Sequence, residues 1–192
     1  MRSFFIAIAL VAICSCGGVP YFDLRHPIYM VTEQSFWSGC EQDPTGYEAC
    51  RASRVQQIND GVKQWFDYFG KANHPRAVIL YSKNNLPSNR VNEDVIYLKI
   101  EAGFCGEGSF ACYAYGASSS SYSSPEIVFD NSFTITPRRM AHEFGHVLGR
   151  DDNDVPEGTG SVMSYKLPTV VTPLDIEMMC RLHHECRMVK RK

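Results

Sequence analysis

The sequence has little net charge and no concentrated basic region. Its 192 residues include 19 Lys and Arg against 21 Asp and Glu, which gives a formal net charge of -2. Because nucleic acids are bound by concentrated positive charge, they are not expected as partners. Internal repeats and a composition shift that would mark a second domain are also lacking. Residues 17–192 are therefore predicted to form a single domain.

Long hydrophobic runs are confined to the first residues. Phe4 to Ile13 follows Arg2 and is too short to span a bilayer as a helix, which is typical of a secretory signal, predicted over residues 1–16. The sequence Ile13-Cys14-Ser15-Cys16-Gly17 resembles a bacterial lipobox, in which Cys16 would be the lipidated N-terminus. An ordinary cleaved signal and free secretion is the alternative. We therefore expect an extracytoplasmic protein, secreted or lipid-anchored at a bacterial envelope, with no membrane contact except through an N-terminal lipid.

Paired C-x-x-C spacing is also lacking, so a second metal site built on thiolates is not expected. Apart from Cys14 and Cys16, six cysteines remain, an even number that indicates disulfides and an oxidising compartment. Sequence cannot choose among their pairings. The short-range choice joins Cys40 to Cys50, Cys105 to Cys112, and Cys180 to Cys186.

Periodicity predicts an extended segment, a helix, four strands and two further helices. The extended segment covers Pro27 to Thr32 and the first helix Ala52 to Phe69, followed by strands at Ala77 to Tyr81, Val95 to Ile100, Phe110 to Tyr115 and Glu126 to Phe129. Thr136 as cap and Pro137 at the first helical position predict a helix to about Leu148. Thr172 and Pro173 repeat this signature before a last helix to about Leu182. The Ser-rich tract from Ala117 to Ser124 is interpreted as a rim or linker.

The most informative segment contains His142, Glu143, His146, Gly149 and Asp152. Residues four apart on a helix share a face, so the two histidines can direct their imidazoles at one point. Glu143 is offset by about a quarter turn and can reach the edge of a bound metal without ligating it. Gly149 offers a helix end where the chain turns back, and Asp152 then arrives as the third ligand.

This extended pattern resembles the metzincin clan of zinc peptidases, whose H-E-x-x-H-x-x-G-x-x-H motif is matched at every fixed position but the last. An Asp as last ligand resembles the snapalysin group, and Ser161-Val162-Met163-Ser164-Tyr165 looks like the Met-turn of serralysins. The resemblance implies one catalytic Zn²⁺. It also implies an α+β fold: a twisted, mostly parallel five-stranded sheet with an antiparallel edge strand, packed on two helices. A smaller C-terminal subdomain would hold the Met-turn and the last helix.

Other acidic residues compete for the role of third ligand. Glu157 and Glu177 would suit an arrangement in which the ligand comes from a later segment, and Asp151 is adjacent to Asp152. Asp152 is preferred because its position after Gly149 matches the motif. Calcium is not indicated, because the acidic run from Asp151 lacks the spacing of an EF-hand.

The resemblance also implies roles for neighbouring residues. Glu143 would act as general base, Met163 would lie beneath the metal, and Tyr165 would stabilise the oxyanion. Ordinary packing is the alternative for the last two. The clan binds substrate along an edge strand, for which the candidate is Phe110, Ala111, Cys112, Tyr113, Ala114 and Tyr115.

The sequence thus predicts a monomeric zinc endopeptidase that hydrolyses peptide bonds of extended polypeptides. Two other functions use the same residues. One is a surface-anchored binding lipoprotein on a peptidase scaffold with structural zinc, since fold does not dictate function. The other is a zinc amidase acting on a cell-wall amide. Retention of Glu143 beside a complete ligand set favours the peptidase over the binding protein.

Overall fold

The computed structural model of the chain describes residues 27–68, 77–88, 95–114, 117–118, 121–122, 125–152, 160–164 and 170–182. The strands are β1 (Ile28–Thr32), β2 (Ala77–Leu80), β3 (Val95–Ile100), β4 (Ala111–Ala114), β5 (Ala117–Ser118), β6 (Ser121–Tyr122) and β7 (Glu126–Phe129). The helices are α1 (Tyr47–Phe66), α2 (Pro137–Val147) and α3 (Pro173–Leu182). Several predictions fall outside these residues: the signal over 1–16, Cys16, Tyr115, Glu157, Tyr165 and Cys186.

Five strands form one sheet in the order β2-β1-β3-β7-β4. The first four are mutually parallel, and β4 pairs antiparallel with β7 at one edge. The predicted α+β architecture, with a mostly parallel sheet and an antiparallel edge strand, is therefore confirmed. Strands β1, β3 and β7 carry Val and Ile at buried positions, which is usual in parallel sheets.

Helices α1 and α2 pack on each other, and both contribute buried side chains to the hydrophobic core beside the sheet. Trp65, near the end of α1, is fully buried and donates its indole N–H to Ala141 O of α2 at 2.7 Å. The rings of Phe66 and Phe144 meet edge to face at 5.6 Å between their centres. Gly61 lies at the crossing, where an added Cβ would approach Pro137 O to 2.6 Å. The position of α2 is therefore fixed by close contact with α1.

Helix α1 differs from its prediction at both ends. It begins at Tyr47, five residues before the predicted Ala52, and ends at Phe66. The first turn is exposed at Tyr47, Glu48 and Ala49, so the apolar stripe that predicted the helix does not extend into it. At the other end, Asp67 and Tyr68 already form a turn.

Three further predictions are corrected. The tract interpreted as a rim or linker contains a short antiparallel pair, in which Ala117 pairs with Tyr122 and Ser118 with Ser121. Strand β4 begins at Ala111, one residue after the predicted Phe110, although Phe110 O still accepts from Asp130 N at 2.9 Å. Tyr81 likewise lies just beyond β2.

Two of the predicted disulfides are present, joining Cys40 to Cys50 and Cys105 to Cys112. Cys180 is also disulfide-bonded. These bonds indicate folding in an oxidising, extracytoplasmic environment. Within the described ranges, the helices are too short or too polar to traverse a lipid bilayer.

Candidate metal centre

Helix α2 presents its two histidines on one face because they are four residues apart, and the first turn of the helix is capped. Thr136 Oγ1 accepts from Arg139 N at 3.3 Å, and Pro137 occupies the first turn, where its missing N–H is not needed. His142 and His146 follow one turn apart, with ring centres 5.0 Å from each other.

The end of α2 turns the chain back towards these histidines. Gly149 has φ of 82°, a left-handed conformation that is costly for residues with a Cβ. Its N–H donates to His146 O and the Arg150 N–H donates to Gly145 O, each at 2.9 Å. This pair of bonds is a Schellman motif, and it brings Asp152 over the same helix face.

Three side chains converge at this point. Asp152 Oδ1 lies 3.1 Å from His142 Nε2 and 3.5 Å from His146 Nε2. All three ligand atoms lie within 4.8 Å of one another, and this is the candidate metal cluster among the described residues. Two atoms bound at about 2.0 Å to a tetrahedral zinc are themselves about 3.3 Å apart. The two distances from Asp152 Oδ1 therefore fit binding to one small tetrahedral cation.

Two of the competing ligands are described and do not belong to the cluster. Glu177 is largely exposed and pairs with Arg181 at 2.7 Å on the surface of α3. Asp151 is not a member of the cluster. Glu157 lies outside the described residues. Of the three acidic candidates that the structure describes, Asp152 is the one that lies beside the histidines.

Both imidazoles are oriented from behind by backbone carbonyls. His142 Nδ1 lies 2.9 Å from Val162 O, and His146 Nδ1 lies 2.9 Å from Arg150 O. Because a carbonyl can only accept, each Nδ1 donates a proton in this bond, and Nε2 is the ring nitrogen that faces the cluster. This is the arrangement by which metal-binding histidines are usually held.

The environment shifts the pKa values of the two histidines in opposite directions. Burial acts to lower the pKa of His142, but the hydrogen bond with Asp152 and the charge of Glu143 raise it overall. Burial lowers the pKa of His146, against the attraction of Asp152. His146 is thus the more readily kept in the neutral form that a metal requires.

Glu143 lies close enough to His142 and Asp152 to interact with their charges but is not a member of the cluster. It is only 4% exposed, and burial raises its pKa to about 7, although His142 and a backbone hydrogen bond from Tyr113 oppose the rise. Among the described residues, no donor reaches its buried Oε2. A buried carboxylate with one oxygen left over is suited to accept a proton from a bound water.

Met163 packs against α2 at Gly145. It is fully buried, and a Cβ added at Gly145, between the two histidines, would overlap its sulfur. Residues Ser161 to Ser164 form a tight turn closed by Ser164 N to Ser161 O at 3.0 Å. The turn supplies the Val162 carbonyl that orients His142. Tyr165, the predicted oxyanion residue, lies outside the described residues.

The predicted substrate strand lies at an edge of the described sheet, next to Glu143. Ala111, Cys112, Tyr113 and Ala114 form β4, and Phe110 just before it is 56% exposed. The backbone of Tyr113 is hydrogen-bonded to the candidate base. Glu143 therefore connects this sheet edge to the candidate metal cluster.

Sequence reasoning missed the residue that organises this region from behind. Asp175, taken only as part of a helix start, is fully buried and accepts hydrogen bonds from Ser161, Val162 and Thr172. The only signal was its place three residues after Thr172, which predicts a local cap and no long-range contact. The buried Arg150 was missed as well.

Comparison of the chain with the models of known protein families found no match, and comparison with curated protein sequences found none either. The resemblance to metzincins therefore depends on the residues of the motif.

Proposed function

We propose that this chain is a zinc-dependent endopeptidase with His142, His146 and Asp152 as ligands and Glu143 as general base. The observation that carries the proposal is the meeting of three possible ligand atoms within 4.8 Å of one another beside a buried carboxylate. A histidine pair on a solvated helix face would need neither the carbonyl behind each Nδ1 nor the turn at Gly149. Those features restrict the imidazoles to one orientation.

The chain's own groups account for binding and proton transfer. Bound zinc would supply a Lewis acid that polarises the scissile carbonyl and acidifies water. Glu143 accepts the proton of that water on Oε2 and passes it to the leaving amine. With a pKa near 7 in the metal-free chain, this carboxylate is basic enough to accept a proton and acidic enough to release it.

The proposed substrate is an extended polypeptide that pairs with the edge strand β4. Backbone pairing of this kind binds peptides with little regard to sequence. Because Tyr113 of β4 is joined to Glu143, a peptide on this edge would place a carbonyl near the base. Tyr165 is the proposed oxyanion residue. The proposed setting is extracytoplasmic, secreted or lipid-anchored through Cys16.

Cleavage of a mixed peptide library tests the proposal, with bound zinc measured in the same samples. The wild-type chain is compared with Glu143→Gln, which keeps the size of the side chain and removes its basicity. Glu177→Gln is the matched control, because this exposed glutamate was also a candidate ligand. We expect one equivalent of zinc in all three proteins and cleavage lowered at least about a thousandfold in Glu143→Gln alone.

The alternatives give different results. One equivalent of zinc in every protein with no cut peptide from any of them would favour the binding protein, or an amidase if an amide-linked cell-wall fragment is hydrolysed instead. Loss of zinc in Glu177→Gln would show that Asp152 is not the third ligand. A wild-type chain that binds no zinc would refute the proposal.

A further inference from the structure

We infer that Asp175 is the positioning residue for both metal-binding imidazoles, acting through the two carbonyls that hold their Nδ1 atoms. The inference rests on the proposed function where it concerns zinc, but it is stated for the orientation of His142 and His146 in the chain itself. Asp175 is on α3, 29 residues after His146 and 33 after His142 in sequence, and is fully buried.

The first path runs through the side chain of Asp175. Its Oδ2 accepts from Val162 N at 3.1 Å, and Val162 O is the group that lies 2.9 Å from His142 Nδ1. The same peptide segment is held on the other side by Ser161, whose hydroxyl donates to Asp175 Oδ1 and accepts from Met163 N at 3.0 Å. The carboxylate therefore fixes the position and orientation of the turn from Ser161 to Ser164.

The second path runs through the backbone of Asp175. Arg150 is 3% exposed, and its Nη1 donates to Asp175 O at 2.8 Å. Arg150 O in turn lies 2.9 Å from His146 Nδ1. Because Arg150 also closes the Schellman turn onto Gly145 O, it links α3 to the end of α2 just before Asp152. One residue is thus connected to both imidazoles through different partners.

The side chain of Asp175 accepts more hydrogen bonds than a helix cap requires. Thr172 N and Oγ1 each lie 2.8 Å from Oδ2, which satisfies the start of α3. The bonds from Ser161 and Val162 are additional and bring another chain segment to the same carboxylate. A buried carboxylate surrounded by donors is rigid, because removing any donor leaves charge uncompensated.

The test measures the imidazoles directly as well as zinc. Nitrogen-15 spectra of the metal-free chain above pH 8 report which ring nitrogen of each neutral histidine carries the proton. Zinc affinity is measured by competition with a chromogenic chelator. The variants are Asp175→Ala, Asp175→Asn, whose amide oxygen can still accept from Val162 and Thr172, and Met179→Ala. Met179 is an equally buried residue of α3, so its variant serves as a control for simple destabilisation.

We expect the wild-type chain to show the Nδ1-protonated form at both histidines. Asp175→Ala should give mixed forms and about tenfold to hundredfold weaker zinc binding, with partial recovery in Asp175→Asn. Met179→Ala should melt at a lower temperature with unchanged histidine forms and zinc affinity. Should Asp175→Ala not fold, Ser161→Ala carries the same comparison, with a shift of several fold in affinity.

The inference is overturned if the Asp175 variants keep the wild-type histidine forms, or if Met179→Ala changes them equally. A wild-type chain with ordered imidazoles and no affinity for zinc would refute the proposed function and leave the positioning role standing, because the nitrogen-15 result does not depend on a metal.

Discussion

Different interactions stabilise two regions of the molecule. One region is the sheet with α1, and the other is the segment behind the candidate metal centre. In the sheet, the buried residues are mostly apolar, with Ile96, Leu98 and Ile127 fully excluded from solvent. Behind the histidines, buried Arg150, Ser161 and Asp175 are joined by hydrogen bonds. Apolar packing is non-directional and tolerates adjustment, whereas hydrogen bonds fix angles. The chain therefore places directional contacts where two imidazoles must keep one orientation.

Removing a large core side chain far from the histidines should give the largest loss of stability. Phe36 is fully buried against Trp37 and Phe129, so Phe36→Ala is expected to cost about 4 kcal/mol of unfolding free energy. Zinc affinity of the molecules that remain folded should be unchanged. Chemical denaturation and chelator competition measure the two quantities. A large loss of affinity would mean that the two regions are not mechanically separate.

The buried charge of Glu143 should make the metal-free chain less stable as pH rises. Its pKa of about 7 in the folded chain exceeds the ordinary value of 4.5, so the folded state binds the proton more tightly than the unfolded state. The stability that this provides is complete below about pH 4 and is lost as pH rises through 7. Glu143→Gln should therefore be more stable than wild type by about 3 kcal/mol at pH 9 and about equal to it at pH 4.

Denaturation of the chelated protein at both pH values checks this, with Glu177→Gln as control because its side chain is exposed. An equal gain at pH 4 and pH 9 would contradict a cause in buried charge.

Two of the disulfides can separate an effect on stability from an effect on substrate binding. Cys40 and Cys50 close a loop of sequence separation 10 at the start of α1, and replacing both by Ser should cost about 2 to 3 kcal/mol with cleavage unchanged. Cys112 is part of β4, so replacing Cys105 and Cys112 should cost a similar amount and also raise KM for peptides. Thermal melts and steady-state kinetics separate the effects. Equal KM for both double variants would argue against β4 as the substrate strand.

The turn at Gly149 should show a small loss of stability with a larger loss of metal binding. Gly149→Ala forces a Cβ into a left-handed conformation and is expected to cost about 1 kcal/mol. Since Asp152 follows this turn, zinc should bind about tenfold more weakly. Gly46→Ala, at another positive φ in an exposed loop, is the matched control and should leave zinc affinity as it is.

Local sequence signals predicted most elements of this fold and its candidate ligands. The five main strands and α2 and α3 lie close to where periodicity and capping residues placed them, because those signals act over a few residues. The start of α1 was wrong, since its exposed first turn carries no apolar stripe. The short β5 and β6 pair was missed because a Ser-rich tract has no hydrophobic alternation. The sequence motif correctly predicted that His142, His146 and Asp152 lie close together, since one helix and one turn connect them.

By itself, the sequence determined the set of candidate ligands, because helix pitch and a single left-handed glycine bring His142, His146 and Asp152 to one side without help from distant residues. Only the tertiary structure decided how the imidazoles are held. Val162 O, Arg150 O and Asp175 meet behind them through contacts that cross from α2 to the turn and to α3. Sequence patterns record the local periodicity of backbone and solvent exposure, whereas a buried carboxylate finds its donors only once the chain has folded.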